Sequence, residues 1–473
     1  MKYYHKIYLP IALLVLNLSP FGNISVNAQT YYTISTFAGT GTYGYTGDSG
    51  LATAAKLKYP DYVTTDKRGN VYICDNDAHS VRKVDVTTGI IYTIAGNDTG
   101  GFSGDGGLAI HARMHYPYGI NFGVSGDDTN VIFIADAGNN RIRKVSAAGI
   151  ITTIAGTGVA SYTGDGSSAM SATIYSPAAI CADRNRNLYI ADEANNAIRK
   201  IDHATGYIST IAGTGVAGYT GDGGLATLAT LNAPTGMQID NKGNIYFSDT
   251  YNNVIRRIDS ATGIITTVAG NGFGAGTVTG GAYSGDSGLA TAAELNWPCD
   301  VQVDTLGNIF ICDQKNNRIR KVDAATHIIT TIAGTGVGGK TGDGGLATLA
   351  KIWWPTGIRL SDSGIIYISD WQNSKIRKLT PHDTSVGVGT SPVLSKGEVV
   401  VWPNPVKENL TLSLSKGEGT HFVITNLSGR TLLQGKIYSS KQTIDVSRLQ
   451  AGVYLIQVIN KEGLKQTVKV VKE

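Results

Sequence analysis

Short runs rich in Ile, Val, Tyr and Phe, each closed by Gly, Asn or Asp, recur through residues 33–380. Runs of this length and punctuation predict β-strands joined by tight turns. The clearest copy holds four of them, Thr235–Asp240, Asn244–Asp249, Val254–Asp259 and Ile264–Ala269. Their apolar positions are partly continuous, as in Gly263-Ile-Ile-Thr-Thr-Val-Ala-Gly270, which suits strands covered on both faces. The unit returns six times. Its marker is the aspartate closing the second run, at Asp75, Asp136, Asp192, Asp249, Asp313 and Asp370, with spacings of 61, 56, 57, 64 and 57 residues. A period of that size with four strands per unit predicts an all-β, six-bladed propeller.

The turns agree with this strand order. Asp66-Lys-Arg-Gly-Asn70, Asn241-Lys-Gly-Asn244 and Asp304-Thr-Leu-Gly-Asn308 lie between first and second strands, where Gly supplies a positive φ. The second turn carries paired asparagines in four copies: Asn139-Asn140, Asn195-Asn196, Asn252-Asn253 and Asn316-Asn317. The outer-strand phrase Thr-Ile-Ala-Gly or a close variant begins at Thr36, Thr93, Thr153, Thr210, Thr267 and Thr331, and no copy follows Arg377-Lys378. Residues 33 to 39 are therefore expected to supply the outer strand of the blade ending near Thr380, closing the ring without an exposed seam.

The composite Thr-Gly-Asp-Gly-Gly-x-Ala-x-x-Ala-x-Leu-x-x-Pro-x-Gly, followed by Asp-x-x-Gly-Asn-x-Tyr-Ile-x-Asp-x-x-Asn-x-x-Ile-Arg-Lys, resembles the NHL repeat over residues 33–380. That resemblance implies a six-bladed β-propeller. It does not choose a function, because propellers of this family include protein-binding, RNA-binding and a few enzymatic members.

Both ends of the chain differ from the repeats. Lys2 and Lys6 precede the apolar stretch Ile7 to Val15, and Val26-Asn27-Ala28 stands before Gln29, the pattern of a secretory signal peptide over residues 1–28. No other segment approaches the ~20 apolar residues of a membrane-spanning helix, so the mature chain is expected to carry none. Residues 29–380 form the propeller in this reading, and the Ser, Thr, Gly and Pro-rich stretch 381–397 is a linker. From 398 to 473 the Gly-rich phrases vanish and alternating strands such as Leu410–Leu414 and Val453–Val458 predict a small β-sandwich. This segment is similar to the type A sorting domain of the Bacteroidetes type IX secretion system. The match is carried by Pro403, Asn404 and Pro405 after Trp402, by Gly452 and Tyr454 in Leu449-Gln-Ala-Gly-Val-Tyr454, and by Lys469 and Lys472. It implies the type IX machinery as partner and a protein that is secreted or attached to the outer-membrane surface.

Charge narrows the partners further. The segment from Ser395 holds eleven basic and six acidic residues and the leader adds two lysines, so the +4 of the whole chain leaves about −3 for the repeats and linker. A near-neutral propeller lacks the basic stripe that nucleic acid demands. The basic pairs beginning at Arg82, Arg143, Arg199, Arg256, Arg320 and Arg377 recur on the third strand, where pairing with the recurring Asp or stacking between blades accounts for them. Cys74, Cys181, Cys299 and Cys312 lie inside strand phrases without Cys-x-x-Cys spacing. They read as buried free thiols, with a cross-strand Cys299–Cys312 disulfide as the alternative.

No nucleophile elbow and no His-Glu-x-x-His pair is present. His111 and His115 have an i, i+4 spacing that on a helix would present two metal ligands; the competing reading is a surface replacement within a short turn. Two features remain as binding candidates. The loops Gly-Asp-(Gly/Ser) place Asp48, Asp105, Asp165, Asp222, Asp286 and Asp343 where they could hold Ca²⁺ or, equally, bond their own loop amides. The residues flanking the recurring inner-strand proline differ between copies. Tyr59, Asp61, Tyr116, Tyr118, Trp297, Asp300 and Trp354 are expected to ring the channel mouth, beside an insertion at Gly274–Gly281. Aromatics with a few carboxylates suit a protein or carbohydrate ligand, while Trp or Tyr before Pro could also seal a blade junction. The leading expectation is a binding scaffold; the alternative is a metal-dependent lyase or hydrolase in the channel.

Overall fold

The structure, a computed structural model, describes residues 30–122, 131–277, 280–383, 400–402, 406–413, 420–426, 430–450, 452–459 and 465–472. The expected signal peptide and linker, and Pro403, Asn404 and Pro405, lie outside these residues. The described residues divide into two compact units, Thr30–His382 and a second one beginning at Asp383. All regular structure in them is β, apart from single turns of 3-10 helix. No helix among the described residues is long and apolar enough to cross a membrane.

In the first unit each repeat forms one antiparallel sheet. The fourth is typical: Pro234–Ile239, Ile245–Asp249, Val254–Ile258 and Ile265–Ala269 pair in chain order. The third sheet gains a short extra strand, Ser167–Ser168. In the last sheet Pro355–Leu360, Ile366–Asp370 and Lys375–Asp383 are joined at the edge by the first strand of the chain, Thr30–Ala38. This is a β-propeller arrangement, and the sequence period explains it physically.

Side chains alternate across a strand, so each second strand serves two cores. Val71 and Ile73 pack with Tyr367 and Ile376 of the last sheet, while Tyr72 and Cys74 pack with Ile120, Ile132 and Ile134 of the second. Both faces are thus apolar, as the continuous runs require, and burying a side chain of this size contributes roughly 1.5–3 kcal/mol. The inner strands approach even more closely. A Cβ on Gly119 would meet the Ala178 carbonyl oxygen at 2.6 Å, and one on Gly357 the Asp61 carbonyl oxygen at 2.7 Å, so glycine is required at these junctions.

The cysteines are free and buried. A bulge between Pro298 and Asp300 sets Asp300, not Cys299, opposite Cys312, which removes the register a cross-strand bond would need.

The second unit contains a three-stranded sheet, Val400–Trp402, Asn409–Ser413 and Lys441–Asp445, and a four-stranded one, Thr431–Ile437, Thr420–Asn426, Gly452–Ile459 and Lys465–Lys472. Leu410, Leu412, Phe422, Ile424 and Ile456 share its core. Gly452 pairs in register with Lys472, Leu455 with Lys469, and the Tyr454 hydroxyl donates to the Gln450 carbonyl at 2.8 Å.

Candidate functional site

The site grows from a repeated set of bonds at one end of each sheet. The aspartate closing the second strand is fully buried and accepts from a backbone amide two residues before the inner-strand proline: Asn232 N to Asp249 at 2.7 Å, Trp353 N to Asp370 at 2.7 Å. Asn252 and Asn373 amide groups donate to the same two carboxylates at 2.8 Å. The buried arginine of the third strand completes the shell, with Arg256 at 3.4 Å from Asp249 and Arg377 at 3.0 Å from Asp370. Such a buried charge persists only when it is partnered, and each of these carboxylates accepts from a backbone amide, an asparagine and an arginine.

Each arginine also reaches outward to the loop aspartate considered above as a calcium ligand. Arg82 meets Asp48 at 2.6 Å, Arg143 meets Asp105 at 2.7 Å, Arg199 meets Asp165 at 2.5 Å, Arg256 meets Asp222 at 2.6 Å, Arg320 meets Asp286 at 2.8 Å and Arg377 meets Asp343 at 2.7 Å. The arginine also stands over an aromatic ring in several copies, 4.9 Å from the Tyr162 ring centre for Arg199 and 5.4 Å from Tyr219 for Arg256. The loop carboxylates are therefore partnered by guanidinium groups, and no three His, Cys, Asp or Glu side chains among the described residues group to hold a metal ion.

On this frame the residue before each inner-strand proline is held with a left-handed backbone: φ is 51° at Tyr59, Tyr116, Ser176 and Trp297, 52° at Ala233 and 50° at Trp354. That conformation costs a non-glycine residue about 1 kcal/mol or more. It is enforced from the preceding sheet. The amides of Ser176, Ala233, Trp297 and Trp354 each donate at 2.9 Å to an asparagine carbonyl oxygen, on Asn140, Asn196, Asn253 and Asn317. The Tyr116 amide donates instead to Nδ1 of His79 at 3.2 Å. All six positions stand at the end of the sheets where the inner strands begin.

There the copies diverge. Tyr43, Tyr59, Trp371 and Trp354 form a continuous ladder of rings with centroids 4.9, 4.5 and 5.9 Å apart, the last two pairs stacked at 24° and 16°. Beside it His79, His115 and Tyr116 form a second cluster, 5.4 Å between the imidazoles and 4.5 Å from His115 to Tyr116. Trp297 packs at 5.1 Å from Tyr251 under the Lys315 ammonium. Ser176 and Ala233 leave the third and fourth sheets without an aromatic at this position, so the ring of aromatics is one-sided. His111 takes no part: its segment makes one 3-10 turn, Ala109–His111, and then extends, which carries His115 to His79 of the neighbouring repeat.

The acidic candidates lie deeper. Asp61 is 4% and Asp300 0% exposed. Burial pushes the Asp61 carboxyl up to about 8, and its Oδ1 has no hydrogen-bond partner among the described residues. Burial also raises Asp300 to about 8, against the pull of the Ile358 and Val301 amides, which donate to it at 2.8 Å, and of the Tyr62 hydroxyl at 3.4 Å. Tyr118 is half-buried, and the neighbouring Asp61 together with burial holds its phenol well above the usual value. Glu193 is raised to about 7 by burial and accepts from Ser176 Oγ at 3.4 Å. The arrangement combines stacked aromatic faces with buried carboxyls whose pKa values desolvation raises, suited to holding a ligand by stacking and hydrogen bonds.

Trp371, Tyr43, His79, Glu193, Tyr251 and Lys315 were not among the residues singled out from sequence. Several of them sit in the turn just after the second-strand aspartate, and that position varies between copies as the proline-flanking ones do: Asn76, Ala137, Glu193, Thr250, Gln314 and Trp371. The insertion at Gly274–Gly281 is described except at 278–279 and packs locally, Gly276 N donating to the Tyr251 carbonyl at 2.8 Å.

Comparison with known proteins agrees with both units. Residues 400–473 match the secretion system C-terminal sorting domain, and residues 217–277 match the teneurin NHL domain. The chain is 28% identical over 269 residues to "Protein SUPPRESSOR OF QUENCHING 1, chloroplastic" of Arabidopsis thaliana, covering 54% of this chain and 24% of that protein. It is 23% identical over 288 residues to human NHL repeat-containing protein 2, covering 55% and 38%. The chain thus spans well under half the length of these relatives. Among solved structures, an auxiliary nutrient binding protein from Bacteroides thetaiotaomicron superposes with a TM-score of 0.53 at 16% identity, over 75% of this chain and 77% of that one, a likeness of fold.

Proposed function

Because the chain belongs to the NHL-repeat β-propeller proteins and ends in a type IX secretion sorting domain, we propose that it is an exported scaffold that binds protein or carbohydrate through the aromatic face of its propeller. In this reading residues 1–28 are a cleaved signal peptide, 29–380 a six-bladed ring closed by the strand Thr30–Ala38, 381–397 a linker and 398–473 the segment that engages the secretion machinery. Closure is supported by the place of Thr30–Ala38 at the edge of the last sheet and by apolar packing between the last sheet and the first. The product is secreted or retained on the outer-membrane surface.

The observation that carries the binding role is the ladder Tyr43–Tyr59–Trp371–Trp354, half-buried to exposed, on backbone fixed by its neighbours. Rigid aromatics give contact area at low entropic cost, and they dominate recognition of this kind. Exposed Val159, Val216, Phe273 and Val337 follow the outer strands toward the same end and extend the apolar surface. A glycan and peptide array probed with the purified chain tests the proposal: binding confined to particular glycans or peptides supports it, and silence across both overturns it.

A channel enzyme is the second reading. The raised carboxyls of Asp61 and Glu193 near Tyr118 are what favour it, since perturbed acids cluster at catalytic sites. Turnover of an array-identified ligand, abolished by Asp61→Asn, would move the assignment to that reading.

A further inference from the structure

The opposite end of the same unit holds a feature that the aromatic face does not explain. The inner strands there enclose a cavity of about 640 Å³, within the range of small-molecule sites. At the fifth position of each inner strand stand Thr64, Asn121, Cys181, Gln238, Gln302 and Arg359. Five are uncharged and the sixth is a cation. Only the last sheet breaks the set, and symmetry does not demand it.

Arg359 lines the cavity and, among the described residues, makes one hydrogen bond, Nε to Thr65 Oγ1 at 3.2 Å. Unlike the six framework arginines, it forms no ion pair among the described residues. Among the described residues the carboxylates of the cavity wall are spent elsewhere: Asp66, Asp183 and Asp240 each accept from the amides of their own turns, and from Asn70, Asn187 and Asn244 at 2.8 Å. Asp300 and Asp362 act on the guanidinium only from a distance. Desolvation by burial already disfavours its charge. Lys67, Arg184 and Lys242 stand around the same cavity and add positive charge.

We propose that this cavity binds a small ligand through an oxyanion, a carboxylate or phosphate, gripped by the Arg359 guanidinium. A guanidinium whose Nε is fixed by Thr65 leaves its terminal N–H groups in a planar fork, which matches a carboxylate or phosphate with two parallel bonds. Thr64 and Asn121 in the wall supply partners for hydroxyl groups, while the Gln238 amide is bonded to the Val303 backbone. A sugar acid fits this chemistry; a neutral sugar leaves the cation unmatched. This site is separate from the aromatic face, so either can fail alone.

The test is calorimetric titration of the full chain with galacturonate, inorganic phosphate and neutral galactose. The expected result is binding of at least one oxyanion, no binding of galactose, and a loss of roughly tenfold or more in Arg359→Gln with partial retention in Arg359→Lys. The acid that binds identifies the headgroup. Equal affinity of wild type and Arg359→Gln, equal affinity for galactose, or no binding of either oxyanion at millimolar concentration overturns the proposal. Should Arg359→Gln not fold, protection of Arg359 in the wild-type chain from phenylglyoxal by galacturonate or phosphate, read by peptide mass, decides the same question: protection supports the site and unchanged labelling overturns it.

Discussion

His79 accepts a hydrogen bond at Nδ1 from the backbone amide of Tyr116, 3.2 Å away, in the place where other repeats use an asparagine oxygen. The bond requires a neutral ring, and burial, followed by the adjacent His115, lowers the His79 pKa below its ordinary 6.5. The folded state therefore resists protonation more than the unfolded one. Stability that is present above about pH 6.5 is lost as pH falls and the unfolded chain takes up the proton first. His79→Asn installs the residue that four other copies carry, Asn140, Asn196, Asn253 and Asn317, and removes this loss. Thermal midpoints at pH 7.5 and 5.5 should separate the two proteins only at the lower pH; an equal gap at both would contradict the assignment.

Asp61 titrates with the opposite consequence. Its carboxyl is held up to about 8, so the native state favours the protonated form, and stability present below about pH 4 is lost as pH rises toward 8. Asp61→Asn mimics the neutral acid. Urea unfolding should find the variant already more stable than wild type at pH 5, with a gap that widens as pH rises to 8. A gap independent of pH would show that Asp61 is ionised in the native state.

Arg256 separates the worth of its two aspartates. Asp249 is fully buried, whereas the Asp222 side chain is 40% exposed. Asp249→Ala removes the buried acceptor shared by Arg256, the Asn232 amide and Asn252 and is expected to cost about 3–5 kcal/mol. Asp222→Asn keeps an acceptor at a solvated position and should cost under about 1 kcal/mol. Chemical denaturation of the two variants checks the ranking, and equal losses would refute it.

The same arginine contacts bear on calcium. A ligand that binds only the native state raises its midpoint. With a guanidinium against each of Asp48, Asp105, Asp165, Asp222, Asp286 and Asp343, added Ca²⁺ is expected to leave the thermal midpoint unchanged. A rise that chelator reverses would instead assign these loops as cation sites.

What was legible in the chain follows from what repeats. Strands appear within a residue or two of the runs that predict them, because apolar period and turn chemistry act locally; Val254–Ile258 against the expected Val254–Asp259 is typical. The pairing of Arg256 with Asp249 was legible for the same reason. Burial of Asp61 and Asp300 was not, since a carboxylate beside a proline reads as exposed until the neighbouring inner strands close over it. His111 and His115 mislead because i, i+4 spacing implies a helix only if one forms, and one turn of 3-10 helix does not suffice. Trp371 and His79 escaped notice because they occupy turns, where sequence alone shows no packing partner; their contacts come from adjacent repeats.

The central claim is that the one-sided aromatic shelf is the binding surface. Its most direct measurement is a glycan and peptide array probed in parallel with wild type and Trp371→Ala, which cuts the ladder between Tyr59 and Trp354. Loss of the two ring contacts should lower stability by only about 1–3 kcal/mol, leaving a folded chain. The account predicts discrete wild-type ligands whose signal disappears in the variant while its thermal transition stays cooperative. A folded variant that keeps the wild-type binding profile would contradict it.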